Sequence, residues 1–230
     1  MSTSLRPSEP QAGVLLLALD RPKVHNALDL ELVAALRKHI SGAGPGTRAI
    51  VVCSQTSGRF CAGADLAVPD AERKAVSDEL YALFEQMITA PVPIVAAIDG
   101  AAVGGGAQLA LACDVRLGSE RARFRFVGPA HGLSVGPWAL PSTVGRHALE
   151  LIFSQRFVEP EESVRIGLLD RVADAPLAEA LAVARTVTGL DPDAVRRAKE
   201  HVVHGERLLE RLARERTENG AVFTGEVPRR

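Results

Sequence analysis

The chain of 230 residues is 47% hydrophobic and 24% charged, the balance of a folded globular protein, which excludes disorder and fibrous repeats. Its 27 Lys+Arg nearly offset 28 Asp+Glu, a formal net charge of −1 that draws it neither to nucleic acid nor to an anionic membrane. No apolar run approaches the roughly 18 residues of a membrane span, and Met1–Ser8 lacks the basic and apolar segments of a secretory leader. Three scattered cysteines, Cys53, Cys61 and Cys113, make neither a disulfide framework nor a metal site. A soluble protein of the reducing cytoplasm is the expectation.

Residues 1–12, with Pro7 and Pro10 among polar neighbours, read as a flexible N-terminus. Val14–Leu19 reads as a strand, and Asp29–Ile40 as a helix with Leu30, Val33, Leu36 and Ile40 on one face. The glycines of Gly42–Gly46 stop that helix, and Ala49–Cys53 has the pattern of a buried strand. Asp70–Thr89 is helical, ended by Pro91 and Pro93, before a second buried strand at Ile94–Ile98. Gly104-Gly105-Gly106 opens a helix toward Cys113, and Val115–Leu117 is a short strand. Such alternation predicts an α/β fold with parallel pairing over residues 13–185. Helical pieces beginning near Gly145, Glu159, Pro176 and Asp191 follow, with residues 186–230 as a helical C-terminal region. The run Arg196–Arg216, with seven Arg/Lys and four Glu, reads as a solvated amphipathic helix.

Three glycine motifs compete for function. Gly100–Gly106 lies between a strand and a helix, as a dinucleotide loop would, and Glu120 stands where a ribose-binding acid is wanted. The spacing fails, because Leu109 occupies the place of the third glycine. Gly132-Leu133-Ser134-Val135-Gly136 is formally a nucleophile elbow, which gives a remote serine-hydrolase reading through Ser134, Asp170 or Asp191, and His201 or His204. Gly128-Pro129 breaks the strand such an elbow needs, so a chance match is the better account. The third pairs the glycine run with the loop Phe60-Cys61-Ala62-Gly63-Ala64-Asp65-Leu66.

Together, Arg21–Leu28, Phe60–Leu66 and Pro93–Asp114 resemble, in order and spacing, the enoyl-CoA hydratase/isomerase (crotonase) family, and Glu162–Asp170 resembles a later segment of it. The resemblance implies a ClpP/crotonase-like spiral of ββα units with a helical C-terminal region, assembled as homotrimers or hexamers. It implies an acyl-CoA thioester ligand in fatty-acid metabolism, no bound cofactor beyond the coenzyme A of that ligand, and no metal. The thioester oxygen would sit in an oxyanion hole made by the N–H groups of Ala64 and Gly105. Lys23, Ala62, Asp65 and Leu66 would lie against coenzyme A, with Ala67 where relatives often carry a lysine, and Arg59 or Lys74 compensating.

The two glutamates of the family's hydratases would fall at Gln108 and Gly128, and each lost acid/base group costs roughly 10²–10⁴-fold in rate. Two readings stay open. Either the protein binds acyl-CoA without standard hydratase activity, or it is an enzyme with a displaced acid/base such as His131. Asp70, Glu72 and Glu85 belong to a region that often lines the acyl cavity in relatives, and Trp138 is read as core or as a wall of that cavity.

Overall fold

The computed structural model describes residues 4–68 and 70–224. Two sheets organise it. The larger has the strand order β1 (Leu5–Gln11), β2 (Val14–Leu19), β3 (Ala49–Ser54), β5 (Ile94–Ile98), β7 (Val115–Gly118), β9 (Arg171–Val172), antiparallel at β1–β2 and parallel elsewhere. The smaller is parallel and three-stranded, β4 (Arg59–Cys61), β6 (Ala101–Val103), β8 (Arg123–Arg125). Consecutive turns of chain therefore give one strand to each sheet: β3 then β4, β5 then β6, β7 then β8. That repetition is a spiral.

Helix α1 (Leu30–Ser41) starts where Asp29 accepts a 2.8 Å hydrogen bond from the Leu32 amide, a cap of the expected chemistry. Helices α2 (Asp70–Thr89) and α3 (Gly105–Leu111) follow β4 and β6. Short helices α4 (Leu140–Val144), α5 (Ala148–Ser154) and α6 (Pro160–Ile166) lead to α7 (Pro176–Thr188), α8 (Pro192–Gly205) and α9 (Leu208–Thr224).

The central strands are apolar throughout because both faces are covered. Ile50, Val52 and Ile94 face the main core with Phe60, Phe84 and Leu109. Ala49, Val51, Cys53 and Val95 face Ala180 and Ala184 of α7, whose small side chains let the helix approach closely. Lys199 ties α8 to this body with a 2.8 Å ion pair to Asp114 and hydrogen bonds to the carbonyls of Met87 and Val92.

Two expectations need correcting. The flexible N-terminus expected over residues 1–12 holds an ordered strand: Leu5–Gln11 pairs with β2. An edge strand leaves one row of backbone groups unpaired, so Pro7 and Pro10 are tolerated there. The Arg196–Arg216 run is not one solvated helix. It breaks at Arg207, whose φ is +52°, and α9 then packs along α2, with Leu212, Glu215 and Asn219 buried. Among the described residues, no helix is long and apolar enough to cross a membrane.

Candidate functional site

The two glycine loops meet through backbone pairing. Leu28 donates to the Gly63 carbonyl (2.7 Å) and accepts from the Asp65 amide (3.0 Å), so the Ala64 N–H between them takes no part in the bridge. Gly63 allows this crossing: its φ is +95°, and a β-carbon there would stand 2.6 Å from the Val103 carbonyl oxygen. Gly105 is the first residue of α3, where a helix leaves its amides without intrahelical partners. A β-carbon on Gly105 would lie 3.3 Å from the Ala64 nitrogen. Two neighbouring N–H groups are thus left without a carbonyl partner among the described residues.

Ala64 and Gly105 line one cavity of about 170 Å³. Val76 and Leu80 of α2, Leu133 and Val135 of the loop after β8, and Val222 and Phe223 of α9 supply its apolar walls. Gln108, Tyr81 and Asn219 supply polar groups, and His131, Asp65, Leu66 and Arg73 also border it. Asp65 is committed to Arg21 at 3.1 Å and to the Ala67 amide at 3.0 Å.

The residues read from the sequence divide accordingly. Ala64, Gly105, Gln108, His131, Asp65 and Leu66 come together at this cavity. Lys23 and Ala62 are exposed outside its lining. Gly128 is buried outside its lining, behind Leu133 and Val135: a β-carbon there would meet the Leu133 carbonyl and the Val135 side chain at 2.7 Å. Glu72 and Glu85 are exposed on α2, Lys74 pairs with Asp78, and Arg59 donates to the Pro22 carbonyl. The side chain of Asp70 lies outside the described residues.

Trp138 is core, 1% exposed and stacked on Phe84. Glu120 is exposed at the turn between β7 and β8. Ser134 exchanges both its backbone hydrogen bonds with Asn219, while Asp170 accepts from the Arg116 amide and His204 lines a separate cleft with Lys199. Among the described residues these groups do not meet as a hydrolase triad around Ser134. Among the described residues, no cluster of three or more His, Cys, Asp or Glu could hold a metal ion.

Sequence reasoning missed Glu215. This carboxylate of α9 is 3% exposed and receives four donors: the Tyr81 hydroxyl (2.9 Å), Gln108 Nε2 (2.6 Å) and the Gly136 amide (3.1 Å) on Oε1, and the Trp138 amide (2.9 Å) on Oε2. Burial disfavours the charged form, these donors favour it, and burial prevails, pushing the carboxyl up to about 7. The same burial, with the charge of Glu215 beside it, raises the Tyr81 phenol. Asn219 donates to the Tyr81 oxygen at 2.6 Å and completes the network. A signal was present: Leu208, Leu212, Glu215, Asn219 and Val222 recur at helical spacing, two polar groups on an otherwise apolar stripe.

The enoyl-CoA hydratase/isomerase family model matches residues 9–227. The probable enoyl-CoA hydratase echA6 of Mycobacterium tuberculosis is 36% identical over 191 residues, covering 81% of this chain and 77% of that protein. Among solved structures, Pseudomonas aeruginosa DspI superposes with a TM-score of 0.83 at 29% identity, covering 88% of this chain and 87% of that one. An enoyl-CoA hydratase/isomerase from Xanthobacter autotrophicus Py2 superposes with a TM-score of 0.89 at 26% identity, covering 96% and 88%. With a spiral of paired strands, crossing glycine loops and a match along nearly its whole length, this chain belongs to the enoyl-CoA hydratase/isomerase family.

Proposed function

We propose that the protein binds acyl-CoA thioesters within fatty-acid metabolism and does not hydrate them between paired carboxylates. The observation that carries this reading is the pair of N–H groups on Ala64 and Gly105, without a carbonyl partner among the described residues, at one largely apolar cavity. A thioester carbonyl placed between them gains two donors, and an enolate oxygen gains more, about 3–4 kcal/mol per donor. The walls of Val76, Leu80, Val135 and Phe223 suit an acyl chain, and Leu66 and Asp65 at its border would lie against coenzyme A, with exposed Lys23 and Ala62 contacting it outside the lining.

Hydration needs groups to activate water and protonate carbon. Gln108 is an amide whose Nε2 is already given to Glu215, and the space around Gly128 is closed to any side chain. His131 borders the cavity but is exposed. Exposed Leu149 and Phe153, one turn apart on α5, support the further reading that copies associate, as trimers or hexamers. Proton NMR of crotonyl-CoA with stoichiometric protein in D₂O tests the main reading. Broadened acyl signals without 3-hydroxybutyryl-CoA are expected; steady formation of that product overturns it.

A further inference from the structure

We propose that Glu215 is the proton-holding carboxylate of this site, acting through the Tyr81 hydroxyl, and that the pair exchanges hydrogen at the carbon beside a bound thioester. The inference rests on the acyl-CoA reading above. Tyr81 lines the cavity with Ala64 and Gly105, whereas buried Glu215 lies outside the lining and is hydrogen-bonded to Tyr81 and Gln108, which belong to it. Asn219 donates to the phenol oxygen, so the phenol's own proton points at Glu215. That orientation is what a relay requires.

The step balances without a co-reactant. A C–H bond beside the thioester breaks, and its electron pair passes to the carbonyl oxygen held by the two N–H groups. The proton goes to the Tyr81 oxygen while the phenol's proton passes to Glu215. Reversal returns a solvent-exchanged hydrogen to the same carbon. For an unsaturated chain, return two carbons further along moves the double bond. A phenol alone is a poor base at neutral pH; a phenol already hydrogen-bonded to a carboxylate hands its proton on.

Few other charges face Glu215. Arg214 and Arg216 on α9 turn to Glu218 and Asp78, α2 presents Tyr81, and α3 presents the neutral Gln108. The loop presents the amides of Gly136 and Trp138. His131 also borders the cavity, and its side chain is exposed.

The test uses butyryl-CoA, which can be neither hydrated nor isomerised, at saturating concentration in D₂O, with deuterium at carbon 2 read by mass spectrometry and binding by calorimetry. The wild type should exchange at a rate rising with pH through about 7, as Glu215 ionises. Tyr81→Phe should slow exchange on the order of 100-fold or more. Glu215→Gln should slow it similarly and abolish the pH-dependent limb, which loss of a merely structural group would leave in place. Binding without exchange in the wild type overturns the relay and leaves the binding reading standing; absence of binding removes both. Undiminished exchange in Tyr81→Phe overturns the relay even if Glu215→Gln fails to fold. A limb retained in Glu215→Gln means that another group carries it, which overturns the relay as well.

Discussion

Tyr81 and Glu215, 134 positions apart, share a 2.9 Å hydrogen bond that joins α2 to α9 beside the cavity. Through Asn219 and Gly136 the same cluster holds the loop after β8, so the C-terminal helix is both a wall of the cavity and the anchor of its neighbouring loop. Its placement explains why a charge-rich helix carries a buried carboxylate.

A side chain at 105 should obstruct the ligand and one at 63 should disturb the fold, so the two can be separated. Gly105→Val should fold and lose acyl-CoA affinity by about tenfold or more, because its β-carbon intrudes 3.3 Å from the Ala64 nitrogen. Gly63→Ala should instead melt lower, since a β-carbon at φ +95° collides with the Val103 carbonyl. Calorimetric titration and thermal melts distinguish them; unchanged affinity in Gly105→Val places the thioester elsewhere.

Gln108→Glu should not create a hydratase. The second position remains closed at Gly128, and the new carboxylate would face Glu215 across what is now a 2.6 Å hydrogen bond. Two carboxyls so close must share a proton. The variant should therefore melt well below wild type at pH 8, by about 1–3 kcal/mol, and the gap should narrow at pH 5. Crotonyl-CoA hydration by this single variant contradicts the expectation.

Wild-type stability should fall as pH rises from about 4.5 to about 7. Glu215 titrates at about 7 when folded and near 4.5 when unfolded, so in this window the folded state binds more protons and loses ground with each step up. The full effect is on the order of 3 kcal/mol. Asp99 acts oppositely at lower pH. Its burial opposes charge, but Arg121, Ser119 and the Gly58 amide outweigh that and hold it at about 2, so its contribution is lost as pH falls from about 4 towards 2. Urea melts across pH 3–8 should show the decline above pH 4.5, and Glu215→Gln should flatten it.

The cysteines should be inert in the folded protein. Burial pushes the Cys53 thiol up to about 11 and those of Cys61 and Cys113 up to about 12, leaving almost no thiolate at pH 8. A disulfide-exchange reagent should label none of the three quickly in the native state and all three in denaturant. Rapid native labelling of Cys61 means that the Phe60–Leu66 loop opens.

Local pattern was enough for much of the molecule. The helix Asp70–Thr89 and the apolar runs of β3 and β5 follow from neighbouring residues, and the boundaries of these elements were legible to within a few positions. Ala64, Gly105 and Gln108 entered one reading only through the family resemblance that the loop motifs carry, since each motif is a short stretch of chain. The three-residue strands β4, β6 and β8 left no such mark; too short to show a period, they exist only through pairing with one another. The N-terminal strand depends on the edge that β2 offers, not on its own proline-rich composition. Glu215 is the plainest case. Along the chain it is one charge among many, and only the packing of α9 against α2 removes it from water and sets it beside Tyr81 and Gln108. Desolvation and long-range contact are properties of the folded body, and they turn an ordinary surface residue type into the strongest chemical feature of the site.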